Sequence, residues 1–589
     1  MSNNYPSTRH RRLPPMPLWA AAAVIAAAAW FLTTHYLHIF SEVINWDEFA
    51  ILERADRSVR FGTVVGDGRP GLVTIALMPF VEGCIDAARS VVKARQLWMG
   101  VTVAYLIGVY FLVRRWFVHV GRADQGRAEG LIAVALLAFL PAFVVWSVQV
   151  RTDQVALAAV VWGGALLLGT RYWQAIAAGA LFAVGLLCTQ KGLYALALVG
   201  VLFATATAAR AFGEGVDSGA EIRWAARRLG LGALAGVAVI GIYTFFVPDV
   251  AGLASESMIA GSLETMRISR AGQGYRIYTV HATRLVVHWV FFAILVAWTV
   301  GVLWNRDKSE LFLVATSWLS LMLGLLVIMV HGSSFPYFIM TAGLFPALAL
   351  AMPAGRPLAM SGRWAWTLVA LAIVLAAAQS SRESLQMLDD TQWEQRETLK
   401  LVFDSPLRNR RGYHVEGALL CMRDPEPMPT MFSPMIGQRF YKSPQAMQNR
   451  ADWIEEFRDR PIAYIVDSYR LRQFPEEIRE FWSKHYIWYA RSMYIAGFNI
   501  AGPVEVDVIV PGRYRWDADP TSPTAALQLA SELLEPGAEI NLAVGRLPAQ
   551  TVGEGAHGQL ILADLPKPTR DGSPFFYLRR QIDQLGGRF

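Results

Sequence analysis

Apolar residues in this chain are concentrated in long runs, with charged residues gathered between them. Runs of about eighteen or more apolar residues are long enough to cross the roughly 30 Å hydrocarbon core of a bilayer as helices. The pattern therefore predicts about eleven membrane spans. They cover residues 17–40, 97–113, 130–149, 154–170, 172–188, 192–209, 229–248, 285–304, 309–330, 335–352 and 364–381.

Composition agrees with a membrane protein. Hydrophobic residues make up 54% of the chain and charged residues 17%, whereas a soluble protein carries about a quarter charged residues. The first apolar run is longer than the hydrophobic core of a signal peptide and lacks a small-residue cleavage site, so we expect it to remain as a span. Cys84, Cys188 and Cys421 lie far apart, which excludes a zinc ribbon or a disulfide framework.

Basic residues predict the orientation in the membrane. Arg9, Arg11 and Arg12 precede the first span, and the positive-inside rule then places the N-terminus in the cytoplasm. The net charge of +7 fits loop arginines facing anionic lipid and not a nucleic-acid surface. With about eleven spans the C-terminus lies outside. We therefore expect a multi-pass protein of the plasma (inner) membrane with a periplasmic or extracellular C-terminal region.

The domain prediction follows the change in composition at Ser381. Residues 1–16 form a cytoplasmic tail, and residues 17–381 form a helical membrane domain with an outer loop at 41–96. Residues 382–589 form an extracytoplasmic α/β domain. Its predicted elements are strand Arg460–Val466, helix Pro475–Tyr486, strand Val504–Val510 and strand Gln559–Ala563. The predicted fold class is mostly α, a polytopic helical bundle with a C-terminal α/β domain.

Polar residues at the span ends gather on the predicted outer face. They are Asp47, Glu48, Arg69, Arg151, Asp153, Gln190, Lys191, His331 and Tyr337. Charges this close to hydrocarbon are costly, and they usually pair with one another or line a cavity. Any one of them can instead be an interfacial anchor or a local ion pair. Their convergence on one side favours a site.

The adjacent acids Asp47 and Glu48 carry the chemical hypothesis. A glycosyl transfer needs a base for the acceptor hydroxyl and a cation for the leaving phosphate. Either acid can be that base, and Arg69, Lys191 or Arg151 can be that cation.

A structural alternative exists for the same acids. Asn45 can cap a helix N-terminus, and acids in the first turn of a helix are favoured by its dipole. This alternative does not exclude catalysis.

The order of the motifs resembles a known family, the membrane glycosyltransferases of the GT-C superfamily. The similar branch contains protein O-mannosyltransferases and the aminoarabinose transferases of lipid A. The resemblance covers about residues 17–352. Its motifs are Trp46-Asp47-Glu48 after the first span, Gly68-Arg69-Pro70, Arg151-Thr152-Asp153, Gln190-Lys191-Gly192, and Phe335-Pro336-Tyr337 leading into Leu344-Phe345-Pro346.

The resemblance implies inverting transfer of a sugar from a polyprenyl-phosphate donor to an envelope acceptor at the extracytoplasmic face. The acceptor would be a glycolipid, a polysaccharide or a protein. Asp47 would be the base, Asp153 a second acid in the cavity, and Lys191 would lie near the donor phosphate. Arg69 replaces the lysine that relatives often carry. The compact charge of an ammonium is thereby exchanged for a planar guanidinium with a forked set of N–H donors. No cofactor and no metal are expected, since the lipid-linked donor is itself a substrate.

Three further residues join the predicted phosphate-binding set. Arg270 lies in loop 249–284, whose arginines suit a lid over the donor or an amphipathic interfacial helix. His331 precedes Gly332-Ser333-Ser334, and one histidine alone does not predict a metal site. Tyr337 completes the set.

The expected partners are the polyprenyl-phosphate sugar, the envelope acceptor and the bilayer, with no nucleic acid. A transporter or flippase of a lipid-linked sugar or another anion is the main alternative, and a non-catalytic scaffold is a weaker one. Transporters favour broken helices and internal repeats, and the sequence predicts neither. Gly232 and Gly236 are expected only to pack helices.

Overall fold

A computed structural model gives the fold. It describes residues 16–41, 46–62, 71–81, 87–123, 125–212, 217–247, 286–305, 308–331, 338–353, 364–389, 398, 401–402, 404–410, 412–414, 454–455, 457–466, 476–490, 493–553 and 555–563. The chain divides into two units. The first, named the membrane unit, comprises Met1–Glu42, Ser58–Phe80 and Val92–Asp390. The second comprises Val43–Arg57, Val81–Val91 and Thr391–Phe589.

Helices make up the described residues up to Asp389. They are α1 Leu18–Ser41, α2 Trp46–Phe61, α3 Leu72–Val81, α4 Ala87–His119, α5 Gly126–Ala138, α6 Pro141–Trp146, α7 Thr152–Leu167, α8 Tyr172–Cys188, α9 Gly192–Ala211, α10 Ser218–Phe246, α11 Val286–Trp304, α12 Lys308–His331, α13 Ile339–Ala342, α14 Leu344–Ala351 and α15 Trp364–Asp389. A helix or a pair of short helices lies at each predicted span.

Two predicted spans are interrupted, and on this point the sequence prediction was wrong. Span 130–149 is divided between α5 and α6, and span 335–352 contains α13 and α14. The first break has a clear cause. Leu140 is extended and Pro141 occupies the first turn of α6, because proline has no N–H to continue the preceding helix.

Five helices in the described residues are long and apolar enough to cross a membrane. They are Leu18–Ser41, Arg89–His119, Gly192–Ala211, Ser218–Phe246 and Glu310–Met329. Other apolar helices are shorter, among them α7 and α8. The chain is therefore a membrane protein by composition and helix length, although this count is smaller than the predicted number of spans.

Small residues allow α8 and α10 to approach closely. A Cβ atom built on Gly179 of α8 would overlap the backbone carbonyl oxygen of Gly232 on α10. A Cβ on Gly236 would come within 3.2 Å of the Gly179 oxygen. Close backbone packing of this kind is the usual role of small residues between membrane helices. The predicted packing role of Gly232 and Gly236 is confirmed.

Arginines satisfy the carbonyl groups at the end of α7. Arg228 donates from Nε to Leu167 O at 2.8 Å, from Nη1 to Arg171 O at 3.0 Å and from Nη2 to Leu166 O at 2.9 Å. Arg115 donates from Nη1 to Ala165 O at 3.2 Å. The last carbonyls of a helix have no partner within the helix, and cations there also suit its dipole. These arginines allow a 16-residue helix to end inside a packed bundle.

A glycine substitution tests the α8–α10 contact. Gly179→Ala should lower the stability of the membrane unit by about 1–3 kcal/mol, because the new methyl group forces the two backbones apart. Gly230→Ala is the matched control on α10, since a Cβ there meets nothing within 4 Å. Alanine favours a helix over glycine by roughly 0.5–1 kcal/mol, so the control should be neutral or stabilising. Thermal unfolding in detergent measures both, and equal melting temperatures would contradict the packing.

The second unit carries β-sheets in residues 412–562, together with helix α16 Glu476–His485. The strands are β1 Gly412–His414, β2 Tyr464–Val466, β3 Tyr486–Ala490, β4 Met493–Ala501, β5 Val504–Val508, β6 Gly512–Ala518, β7 Ala526–Leu529, β8 Glu532–Leu534, β9 Glu539–Leu542, β10 Gly545–Val552 and β11 His557–Leu562. The four elements that the sequence predicts here are present within a few residues of their predicted bounds. The unit is richer in strands than the predicted α/β domain.

The strands of the described residues form two sheets. The seven-stranded sheet has the order β1-β2-β4-β11-β6-β9, with β3 also paired to β4. The four-stranded sheet has the order β5-β10-β7-β8. Only the β1–β2 pair among these is parallel. Among the antiparallel pairs only β3–β4 and β7–β8 join consecutive strands, so most of the paired strands lie far apart in the chain.

Two buried aromatic side chains of β6 have their polar atoms hydrogen-bonded. Trp516 and Tyr514 of β6 are buried. The Trp516 indole donates to Ala525 O at 2.7 Å, and the Tyr514 hydroxyl donates to Val510 O at 2.8 Å. A buried indole or phenol needs such a partner.

An acidic residue of β5 links two other elements of the second unit. Asp507 Oδ2 accepts from Arg458 Nη2 at 2.7 Å and lies 3.4 Å from His485 Nε2. Burial alone would raise the pKa of Asp507. The hydrogen bonds from Arg458 and His485 and their charges outweigh burial and hold the pKa below its ordinary value of 3.8.

The sign of this shift gives a pH prediction. A lowered pKa stabilises the folded unit above pH 3.8, and the stabilisation is lost as the pH falls through the folded pKa. Asp507→Asn should therefore cost about 1 kcal/mol at neutral pH and progressively less in acid. Glu539→Gln is the control, because its pair with Arg513 is more exposed, at 37% and 57%. Unfolding followed against pH would contradict the idea if the Asp507 difference stayed constant.

Candidate active site

Two helix starts in the membrane unit place predicted site residues side by side. Arg151 is extended, with φ −134° and ψ 142°, and precedes α7, whose first turn contains Asp153. Thr189 is also extended and is followed by a turn that brings Lys191 to the start of α9. The turn is closed by the backbone bond from Gly192 N to Thr189 O at 3.0 Å.

Lys191 and Asp153 form an ion pair between these helix starts. The distance from Lys191 Nζ to Asp153 Oδ2 is 2.7 Å. The side chains are 16% and 5% exposed, so the pair is largely shielded from water. A charge-assisted bond in such surroundings is stronger than one at a surface. The two residues that the sequence places on adjacent outer turns are in direct contact.

Arg151 lies in the same loop but is held by different groups. It is 5% exposed, and its Nε and Nη2 donate to Gln149 Oε1 at 3.1 and 2.9 Å. Its guanidinium lies 5.0 Å from the ring centroid of Trp146, a cation–π contact. The Trp98 indole donates to the Arg151 carbonyl at 2.8 Å. The predicted phosphate-binding role of Arg151 stays a prediction, and these contacts fix where its charge lies.

Both helices begin with a cation where a neutral or acidic cap is usual. Arg151 and Lys191 are the N-cap residues of α7 and α9, and neither side chain caps its helix. A helix N-terminus already carries partial positive charge, so a cation there is unfavourable unless an anion is close. Asp153 supplies one negative charge. Helix N-termini are also places where proteins commonly bind phosphate groups.

The loop between α6 and α7 is anchored through Ser147. Its carbonyl accepts from Thr102 Oγ1 at 3.0 Å and from Gln154 Nε2 at 2.6 Å. Its hydroxyl lies 2.6 Å from His35 Nε2. Since Ser147 is fully buried, these bonds hold the loop to α1, α4 and α7 at once.

The adjacent acids that the sequence singled out lie at the start of a helix. Asp47 and Glu48 are the second and third residues of α2, in its first turn. The structural alternative proposed for them is thus confirmed as local structure, while Asn45 lies outside the described residues. Glu48 is fully buried. The side chain of Asp47 is outside the described part of the structure, so its role as base stays a prediction.

Other predicted site residues also lie outside the described residues. These are Arg69, Arg270, Tyr337 and the side chain of His331. Gln190 is described and exposed. The roles predicted for them stay predictions.

Several residues of the described site were missed by the sequence analysis. They are His35, Trp98, Thr102, Trp146, Ser147, Gln149 and Gln154. His35 had a usable signal, since a histidine inside an apolar span is uncommon and usually has a partner. Ser147 and Gln149 had none, because their bonds depend on how the chain folds back on itself.

Within the described residues, no group of three or more His, Cys, Asp or Glu side chains can hold a metal ion. The expectation that no metal is needed stays a prediction.

Comparisons with known proteins add likenesses of fold. No protein-family model matches the chain, and no curated protein matches it. The chain is similar to ArnT from Cupriavidus metallidurans bound to undecaprenyl phosphate, at 12% identity and a TM-score of 0.48. That alignment covers 76% of this chain and 92% of ArnT.

Two further structures are similar. The oligosaccharyltransferase of Archaeoglobus fulgidus aligns at 13% identity with a TM-score of 0.44, over 90% of this chain and 76% of its own. The arabinosyltransferase EmbB from Mycobacterium smegmatis aligns at 13% identity with a TM-score of 0.36. That alignment covers 96% of this chain and 65% of EmbB. All three TM-scores are below 0.5.

Removal of the site cation tests whether the ion pair holds the helix starts together. Lys191→Met should lower stability by about 3 kcal/mol, because it leaves the Asp153 carboxylate shielded from water without its ammonium partner. The double variant Asp153→Asn/Lys191→Met should recover part of this loss, since no charge is then left behind.

Gln190→Met is the control on the exposed neighbour and should change stability by less than about 0.5 kcal/mol. Melting temperatures in detergent compare the three variants. Equal destabilisation by the single and double variants would show that charge pairing is not what holds the site.

Proposed function

We propose that this chain is an integral-membrane inverting glycosyltransferase that uses a polyprenyl-phosphate sugar as donor. The acceptor would be a glycolipid, polysaccharide or protein of the cell envelope, reached at the extracytoplasmic face of the plasma membrane. No cofactor or metal is required in this proposal.

The observation that carries the proposal is the shielded Lys191–Asp153 pair at 2.7 Å between the N-termini of α7 and α9. Arg151 and Lys191 stand at the N-termini of α7 and α9, and Asp153 lies in the first turn of α7. Phosphate is the common biological group whose charge suits such a place.

The pair is compatible with donor binding. An ammonium carries three N–H donors, so a bond from Lys191 to Asp153 permits another to a phosphate oxygen. Asp153 would keep the ammonium at a fixed place before the donor arrives. Such preorganisation lets the cation act on charge that develops on the leaving phosphate without a further cost of ordering the side chain.

The proposed reaction has balanced roles. Asp47 takes the proton of an acceptor hydroxyl, the oxygen attacks the anomeric carbon, and the bond from that carbon to the phosphate oxygen breaks. The polyprenyl phosphate leaves with the bonding electron pair, and Lys191 and Arg69 stabilise its charge. The configuration at the anomeric carbon is inverted because attack and departure occur on opposite sides of the sugar.

One observation favours the second candidate, a transporter of a lipid-linked sugar or another anion. The breaks between α5 and α6 and between α13 and α14 are of the kind seen in transporters. The same donor assay separates the two functions, because a transporter leaves the sugar–phosphate bond intact.

Substitution of the acid pair tests the enzyme hypothesis. In membranes supplied with a panel of polyprenyl-phosphate sugars, Asp47→Asn should lower sugar transfer by a factor of about 10²–10⁴, the usual contribution of a general base. Glu48→Gln is the matched control one residue further along α2, and its effect on transfer at equal protein level should be clearly smaller. Release of free polyprenyl phosphate, read by mass spectrometry, measures the reaction.

Two results would contradict the assignment. Unchanged transfer by a folded Asp47→Asn variant removes Asp47 as base. A wild-type protein that moves a lipid-linked sugar across the bilayer while releasing no polyprenyl phosphate favours transport. If sugar transfer is observed, lipid analysis of a deletion strain identifies the acceptor as the envelope molecule that lacks one sugar.

A further inference from the structure

A buried histidine in the first span contacts the loop that carries the site. We propose that His35 is a positioning residue for the Lys191–Asp153 pair and acts through Ser147. This inference rests on the proposed function for its kinetic consequence, but its structural consequence can be measured without turnover.

The hydrogen bonds of His35 define its protonation. Its Nδ1 lies 2.9 Å from Phe31 O, and a carbonyl can only accept, so Nδ1 carries the proton. In the neutral ring Nε2 is then the acceptor, and it lies 2.6 Å from Ser147 Oγ. The Ser147 hydroxyl therefore donates to His35. The histidine is 2% exposed and the serine is fully buried, so water does not compete for this bond.

Ser147 passes this constraint on to α7. Its carbonyl accepts from Gln154 Nε2 at 2.6 Å, and Gln154 follows Asp153 in the first turn of that helix. Thr102 of α4 donates to the same carbonyl at 3.0 Å. The loop before α7 is thus held by hydrogen bonds to α1, α4 and α7. His35 provides the bond to α1.

Loss of the His35 contact has a defined consequence. The Ser147 hydroxyl would be left buried without its acceptor, and such a group costs free energy until it finds another partner. The loop must shift for it to do so, and Asp153 shifts with the loop. A displacement of about 1 Å at a positioned group lowers a rate by as much as a hundredfold.

His38 is a matched control on the same helix. It is fully buried, its ring centroid lies 6.0 Å from that of His35, and its Nε2 donates to Ser384 O of α15 at 2.8 Å. Removing either histidine deletes one buried ring and one hydrogen bond from α1 to another part of the membrane unit. Only the bond of His35 leads to the loop before α7.

The experiment compares four variants of the full-length protein in detergent or nanodiscs. His35→Leu and Ser147→Ala should each lower kcat about tenfold or more with KM changed by less than about twofold. His35→Gln should restore most of kcat, because its amide oxygen can accept from Ser147. His38→Leu should lower the melting temperature about as much as His35→Leu while leaving kcat within about threefold of wild type. Equal loss of kcat in both leucine variants, or no rescue by glutamine, would overturn the positioning role.

Chemical labelling separates this inference from the proposed function. Acetylation of Lys191 by acetic anhydride, followed by mass spectrometry, reports how firmly its ammonium is held without any sugar donor. His35→Leu and Ser147→Ala should increase the labelling rate by about fivefold, and His38→Leu should not. Equal labelling in wild type and His35→Leu overturns the positioning role even if sugar transfer is observed. If the labelling rates change as expected but no sugar is transferred, the positioning role is supported and only the proposed function is contradicted.

Discussion

The bond between Lys191 and Asp153 is the interaction around which the membrane unit is arranged at its candidate site. It joins the first turns of α7 and α9 and keeps two opposite charges together where water is largely excluded. Removing an isolated charge from water in such surroundings costs roughly several kcal/mol of folding free energy, so neither residue can be accommodated alone. The pair also offsets the repulsion between two helix dipoles whose positive ends face the same place.

The other end of α7 is governed by the same constraint. Its final carbonyls receive hydrogen bonds from Arg228 and Arg115, because the last carbonyls of a helix have no partner within the helix. A helix of 16 residues is thereby held at both ends by charged side chains. Such a helix cannot slide along its neighbours, which is the property needed to keep Asp153 at a fixed place.

The sequence predicted the elements whose cause is local. Runs of apolar residues predict spans whether or not their neighbours are known, and the helices lie where those runs are. The break at Pro141 was also local and could have been predicted, since proline inside a span removes a backbone bond. The short strands between residues 512 and 552 were missed, because strands of three to eight residues give little periodicity to detect.

The candidate site was predictable only in part for a related reason. The order of the predicted spans places Asp153 and Lys191 in turns at the same end of the bundle, so their proximity could be expected from the sequence. The bond from Ser147 to His35 joins residues 112 positions apart, and no spacing rule connects them. Gln149 was equally hidden, since its role depends on Arg151 folding back over Trp146.

The two cations at the site, Arg151 and Lys191, differ in how their charged groups are held. Arg151 has a planar fork whose Nε and Nη2 both bond Gln149, and its face lies over Trp146. A fork fixed in this way cannot turn toward a new anion without losing those contacts. The Lys191 ammonium is a compact charge on a flexible stem, and its side chain is 16% exposed whereas Asp153 is 5% exposed. Of the two, Lys191 is therefore the cation better suited to meet an incoming phosphate, while Arg151 contributes positive charge from a fixed position.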